Sequence, residues 1–289
     1  MNVPALRTVT CASPAGLHRI AYWEWAASSG RRDVPVVVCV HGLTRNGRDF
    51  DILAHHLSRH FRVVCPDMAG RGRSDRLAPS ALYAIPQYLS DCVSLIARLN
   101  VEHVGWVGTS MGGLIGMSLA SLPNNPVASL VLNDVGPTLS AEGLARIGDY
   151  VGKAPTFDSY EKCLAYTQLI AAGFGPHDAQ GWEVLARHYW VQSGGHWRVH
   201  YDPRIAEPFA AAGRAGPVSL WPLYEAIEAP TLLLRGAESD LLDAVTAREM
   251  TRRGPRARLV EFAGVGHAPS LIPIEQITSV ENFLLETLQ

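Results

Sequence analysis

Gly108-Thr109-Ser110-Met111-Gly112 is the stretch that decides the fold. Before it, Val104-Gly105-Trp106-Val107 is a short apolar run bounded by His103 and Gly108, the pattern of a parallel strand buried on both faces. After it, the residues from Gly113 to Ala120 are apolar and small, which suits a helix packed closely on that sheet. Gly-x-Ser-x-Gly at a strand-to-helix junction reads as a nucleophile elbow. The serine occupies a strained turn, and glycine-sized neighbours let the strand and helix approach each other. The Ser110 hydroxyl is then expected above the sheet, with the Met111 N–H aimed at whatever it attacks. In a chain with 26 glycines the pentapeptide alone carries little weight, and its place between strand and helix gives it meaning.

The same alternation extends outward. Residues 6–13 and 19–25 read as an N-terminal hairpin, and 34–40 as an apolar strand ending in His41-Gly42. Residues 50–57 have helical spacing, and 62–65 form another strand that leads into a glycine-rich turn over 66–75. A helix is expected near 85–99, and a strand over 127–132 that ends at Asn133-Asp134. Regular β-then-α order predicts an α/β fold with a mostly parallel central sheet flanked by helices. From Pro137 to about Pro222 the order stops. Helix-like pieces there are broken by Gly and Pro and rich in aromatics, with no strand of the buried parallel type. The sheet pattern resumes with strands at 231–235 and 257–262 and helices near 243–252 and 273–288. The expected organisation is a core over 1–136 and 223–289, split by a helical cap over 137–222.

Composition agrees with this. At 289 residues the chain can bury a large core, and 47% apolar with 18% charged residues is an ordinary globular balance. A net charge of -2 gives no electrostatic reason to expect nucleic acid or an anionic membrane as partner. Residues 1–12 lack the apolar core of a signal peptide, and no apolar run approaches the roughly 20 residues that span a bilayer. The 5 cysteines are spaced like neither a disulfide framework nor a zinc site, so they read as reduced packing residues in a cytoplasmic protein. No cofactor or metal is expected.

A serine hydroxyl is a poor nucleophile until a base takes its proton, and that base must be oriented by a third group. Among 11 histidines, His267 in Gly264-Val265-Gly266-His267 follows the last strand, at the sheet edge where the carboxyl ends of parallel strands gather. His56 and His60 have the i,i+4 spacing of metal ligands, but no nearby carboxylate cluster completes a site, and they read as an exposed helix face together with His55. His188, His196 and His200 fall in the insertion, where packing or substrate contact is the better reading. For the acid, Asp240 in Arg235-Gly236-Ala237-Glu238-Ser239-Asp240 lies far enough past its strand to bend back toward His267. Glu238 and Asp243 are its local competitors, and Asp134 is the distant one. Asp240 can also be read as a helix cap. Two N–H donors are expected to face the oxyanion, from Met111 and from Leu43 in the loop after His41-Gly42. His41 itself reads as a support for that loop.

His41-Gly42, Pro66-Asp67 with Gly70-Arg71-Gly72-Arg73-Ser74-Asp75, the Gly108–Gly113 elbow, Asp240 and Gly266-His267, in that order, resemble the α/β-hydrolase fold family over nearly the whole chain. The resemblance implies a serine hydrolase core carrying a helical cap, with Asp67 at a structural turn. Epoxide hydrolases and haloalkane dehalogenases carry Asp where this chain has Ser110. The elbow is similar to that of enol-lactonases and of meta-cleavage-product C–C hydrolases. The latter usually carry Asn before the serine and Trp after the histidine, against Thr109 and Ala268 here. The implied activity is therefore cleavage of a small to medium carboxylic ester or lactone through an acyl-enzyme on Ser110. A C–C hydrolase acting on a dienone and a ligand receptor of the same fold are the alternatives.

Overall fold

The computed structural model describes residues 3–31, 33–215 and 219–288, so Met1, Asn2 and residues 216–218 of the expected cap lie outside the described residues. Strands β1 (Ala5–Ser13) and β2 (Gly16–Trp25) form the antiparallel hairpin. Next come β3 (Val36–Val40) and α1 (Asp51–Leu57), then β4 (Arg62–Pro66) and α2 (Ile85–Leu99). β5 (Val104–Thr109), α3 (Met111–Ala120) and β6 (Val127–Asn133) complete the first run. The inserted elements are α4 (Ala141–Gly148), β7 (Thr156–Phe157), α5 (Tyr160–Ile170), α6 (Ala179–Arg187), β8 (Trp190–Ser193), β9 (His196–Val199), α7 (Ala206–Ala215) and α8 (Trp221–Glu225). The chain then returns to the sheet with β10 (Thr231–Gly236), α9 (Ala244–Met250), β11 (Arg258–Phe262) and α10 (Ile274–Thr287).

The main sheet has the order β1-β2-β4-β3-β5-β6-β10-β11 and is parallel from β4 onward, as the β-then-α pattern predicts. Strand periodicity sorts its two faces. Val36, Val38 and Val40 point into one apolar cluster, which α2 and α3 cover. Val37 and Cys39 point into the other, covered by Leu53, Ala54 and Leu57 of α1 and by Ile277, Val280 and Phe283 of α10. Because both faces are buried, the central strands are continuous apolar runs.

The insertion is not wholly helical. β7, β9 and β8 form a small antiparallel sheet, in which Gly194 and Gly195, at φ 59° and 81°, make the two-residue turn between β8 and β9. Four-residue strands give too little periodicity to be read against the surrounding helices. The insertion also shares an apolar cluster with the sheet: Cys163, Trp190 and Tyr201 belong to the same buried group as Ile115 and Leu132.

Candidate active site

Ser110 sits between β5 and α3 at φ 52° and ψ −113°, a conformation that a β-carbon makes costly. The flanking glycines allow it. A Cβ on Gly108 would lie 2.3 Å from the Gly112 carbonyl oxygen, and one on Gly112 would lie 1.9 Å from the Val40 carbonyl oxygen. The Ser110 N–H donates to the Asn133 carbonyl at 3.0 Å, which ties the turn to the neighbouring strand.

His267 comes to Ser110 from the loop after β11, with Nε2 3.0 Å from the Ser110 Oγ. That loop rests on the end of β10, where a Cβ on Gly236 would lie 2.2 Å from the Gly266 carbonyl oxygen. Asn133 holds the next turn through a bond from Nδ2 to the Pro269 carbonyl at 2.8 Å. His267 Nδ1 is 2.7 Å from Asp134 Oδ2. With Nδ1–H donating to that carboxylate, Nε2 is left as the acceptor for the Ser110 proton.

This corrects the acid expected from the sequence: Asp134, not Asp240, meets His267. Asp134 immediately follows β6, the strand beside β5, so its carboxylate is already at the sheet edge between serine and histidine. Its backbone takes φ 57°, a left-handed conformation that Asp tolerates better than most residues. Its side chain is fully buried and also accepts from the Gly236 N–H at 2.9 Å and the Ser239 hydroxyl at 2.6 Å. Asp240 turns outward to Arg146 of α4, paired through Nε and, at 2.9 Å, through Nη2. That hydrogen bond holds the Asp240 carboxyl below the usual carboxylate range against the opposing effect of partial burial. The helix cap near Asp240 is provided by Asp243, whose Oδ1 accepts from the Val245 and Thr246 N–H groups at 2.8 Å.

Leu43 lines the cleft beside Ser110, and Met111 is the first residue of α3, where an N–H has no acceptor within its own helix. A buried arginine that the sequence did not single out joins these two segments. Arg71 donates from Nε to the Leu43 carbonyl at 2.9 Å, and its Nη2 lies 3.6 Å from the Met111 sulfur. Its Nη1 donates to Ala69 O and Tyr88 Oη at 2.7 and 2.6 Å. His41 supports the same loop. Its Nδ1 donates to the Gly42 carbonyl at 2.7 Å and its Nε2 accepts from the Met68 N–H at 3.0 Å, while burial pushes its pKa down to about 3. A ring so neutral and so fully bonded serves the backbone. Asp67 is likewise a turn organiser: its carboxylate accepts from the Gly47 and Arg73 N–H groups at 2.8 and 2.9 Å, and burial raises its pKa to about 6.

A narrow cleft of about 60 Å³ lies above Ser110. Leu43, Phe50, Ile147, Phe174 and Leu185 give it apolar walls, and Thr44, Arg45 and Tyr150 give it polar ones. The insertion thus supplies part of the lining. Arg45 is bonded to Asp49 at 2.6 and 2.7 Å and to the Leu185 carbonyl at 2.7 Å, and its guanidinium lies 4.9 Å from the Tyr189 ring centroid.

Two histidine clusters lie elsewhere. His56 and His60 do face a carboxylate that their own segment lacks, Glu281 of α10, at 2.9 and 3.4 Å, and Arg59 pairs with the same carboxylate at 3.0 Å. The arginine already supplies the positive charge there. Cys11, His18 and Asp91, all buried, bring ligand-type atoms within 4.8 Å of one another. Asp91 Oδ1 in that group accepts from His18 Nε2 at 3.0 Å and Gln87 Nε2 at 2.8 Å, which makes it a hydrogen-bonded knot between the hairpin and α2. Among the described residues no helix is long and apolar enough to cross a membrane.

Residues 35–157 match the family model for the alpha/beta hydrolase fold. A 3-hydroxybutyrate-oligomer hydrolase from Cupriavidus necator is 51% identical over 288 residues, covering 97% of each chain. A bifunctional esterase/perhydrolase from Acinetobacter calcoaceticus is 26% identical over 271 residues, 89% of this chain and 92% of its own. The crystal structure of an alpha/beta hydrolase from Novosphingobium aromaticivorans superposes with a TM-score of 0.88 at 38% identity, covering 99% of both chains. With its parallel sheet, its elbow serine and these relatives, the chain belongs to the α/β hydrolase family.

Proposed function

We propose that this protein is a serine ester hydrolase acting on short linear oligomers of 3-hydroxybutyrate or closely similar hydroxyacid esters. The observation that carries the chemistry is the bonded series Ser110 Oγ, His267 Nε2, His267 Nδ1, Asp134 Oδ2. The substrate class rests on the 51% identical relative.

In this reading Ser110 Oγ attacks the ester carbonyl carbon while His267 Nε2 takes its proton. The negative charge that develops on the carbonyl oxygen is met by the N–H groups of Met111 and Leu43. Asp134 stays ionised and stabilises the imidazolium. Collapse of the tetrahedral intermediate breaks the acyl–oxygen bond, and His267 gives its proton to the departing alcohol oxygen. Water, deprotonated by His267, then attacks the acyl-enzyme, which releases the acid and restores Ser110. The apolar walls suit the methyl branches of a hydroxybutyrate chain, and Thr44, Arg45 and Tyr150 suit its ester and carboxylate oxygens. Buried cysteines, all 5 free, fit a reducing compartment, and we place the enzyme in the cytoplasm on that ground.

The test is turnover on a graded panel: 3-hydroxybutyrate dimer, trimer and tetramer, a p-nitrophenyl butyrate, an enol-lactone and a dienone. Oligomer cleavage is expected with repeated turnover, and Ser110→Ala should abolish it. Fast cleavage of the dienone with inert oligomers would overturn the substrate class. A single-turnover response to every ester would point to a receptor.

A further inference from the structure

The loop in which the sequence placed the acid, residues 237–243, carries a different contribution to the site. Ser239 Oγ lies 2.6 Å from Asp134 Oδ2, the same oxygen that accepts from His267 Nδ1. The hydroxyl's direction is fixed by its other bonds. Ser239 Oγ accepts from the Leu242 N–H at 3.1 Å and the Leu241 N–H at 3.3 Å. With its lone pairs occupied by these two donors, its single proton is left for the carboxylate. The backbone behind it is held too, since the Ser239 N–H donates to the Gly236 carbonyl at 2.9 Å. Asp134 therefore sits in a cradle of three donors from two segments, Gly236 N–H on Oδ1 and Ser239 Oγ–H with His267 Nδ1–H on Oδ2.

We propose that Ser239 is a positioning residue for the catalytic acid, a hydroxyl clamp that fixes the rotamer of Asp134 and shares the charge on the oxygen facing His267. This rests on the Ser110–His267–Asp134 reading above. A carboxylate rotating freely about its Cα–Cβ and Cβ–Cγ bonds would present either oxygen, at varied distance, to the imidazole. The clamp holds Oδ2 in place opposite His267 Nδ1. It also links acid and cap: Asp240, the next residue, is the one bound to Arg146 of α4. Charged groups facing this corner are Asp240, close enough to His267 to feel its charge, with Arg146 paired to it, the Arg45–Asp49 pair lining the cleft, and buried Arg235, which donates to the Leu242 carbonyl at 2.8 Å and pairs with Glu261 at 2.5 Å. A change at Ser239 removes none of these charges.

The test compares Ser239→Val, matched in shape to Ser239→Thr but lacking the hydroxyl, with Ser239→Thr, Ser239→Ala and Asp134→Asn. For each, kcat and KM are measured on a short-chain p-nitrophenyl ester from pH 5 to 9, alongside Tm. Loss of the clamp should lower kcat about tenfold or more with KM little changed, the worth of one hydrogen bond to a charged group. The acid limb of kcat/KM should move to higher pH, because a carboxylate with one donor fewer favours the imidazolium more strongly. Ser239→Thr should restore both. If Ser239→Val and Ser239→Ala keep the wild-type kcat and pH profile while Asp134→Asn collapses, the clamp is wrong and the triad stands. If kcat falls only in step with Tm and the limb does not move, Ser239 is structural and the clamp is wrong. If Asp134→Asn is itself fully active, the triad reading fails first. Should Ser239→Val not fold, Ser239→Ala carries the same comparison.

Discussion

Asp134 and Asp240 pose the sharpest question at the scale of single residues. An acid that orients a catalytic imidazole must be within bonding reach of Nδ1, and only Asp134 is, at 2.7 Å, whereas Asp240 is committed to Arg146. Asp134→Asn is therefore expected to keep the fold, favour the wrong imidazole tautomer and cut turnover by up to about 10,000-fold. Asp240→Asn should leave turnover within a few-fold of wild type, and an inverse ranking in steady-state rates would return the acid to Asp240. The sequence made Ser110 and His267 legible because each sits in a local signature, glycines around a strand-to-helix junction and a glycine-flanked histidine after the last strand. The acid has no such signature. Both aspartates follow sheet strands, and what separates them is three-dimensional: β6 lies beside β5, so a residue at its very end needs no loop to reach the serine. Asp240 instead met a cation on α4, a partner about a hundred residues away that no spacing rule could supply.

The elbow decides matters at the scale of elements. β5 and α3 approach so closely that the carbonyl of Gly112 accepts from Trp106 Nε1 at 3.0 Å, and a Cβ on Gly116 would lie 2.3 Å from the same nitrogen. The glycines in this segment were legible as close-packing devices, and the structure gives each an identifiable neighbour. Gly112 is the most constrained, since its missing Cβ would meet the backbone oxygen of Val40 and not a side chain that could rotate away. Gly112→Ala should cost about 3 kcal/mol or more in urea denaturation, at the upper end of overpacking penalties. Gly42→Ala is the control, because its Cβ would find nothing nearer than 3.8 Å and its stability should stay within about 1 kcal/mol. Equal midpoints for the two variants would mean that β3 and α3 are not held at this distance. The short strands β7 to β9 lie at the other extreme of legibility. Their aromatics meet edge to face, with Trp190 5.3 Å between ring centroids from Phe157 of β7 and from Tyr189 just before β8, and such packing overrides the helical reading of the flanking residues.

The behaviour of the whole molecule turns on whether the insertion is a separate body or part of one cooperative unit. Inserted segments joined by polar contacts move and melt on their own as a rule, unless the shared interface is large and apolar. Here the apolar cluster on one face of the sheet runs without a break into the insertion, from Ile115 and Leu132 to Cys163, Trp190 and Tyr201. Backbone bonds stitch the two together along the rim: Gly72 N–H to His200 O at 2.9 Å, Asp202 N–H to Gly70 O at 2.7 Å and Gly266 N–H to Gly173 O at 2.7 Å. Side chains add to this. Asn46 Nδ2 reaches the His188 carbonyl at 2.7 Å, and Tyr83 Oη donates to Asp202 Oδ2 at 2.7 Å. The bond from Gly266 to Gly173 adjoins His267, so the insertion braces the loop that carries this histidine as well as walling the cleft. Opening the insertion would expose much of the sheet's own core and loosen that loop, and the two should therefore unfold together. Hydrogen exchange followed by mass spectrometry across a urea series provides the measurement. Peptides from α5 in the insertion and from α3 in the core are expected to lose protection over the same range of urea, together with the loss of esterase activity. Loss of α5 protection at clearly lower urea, with α3 still protected, would show the insertion to be an independent lid.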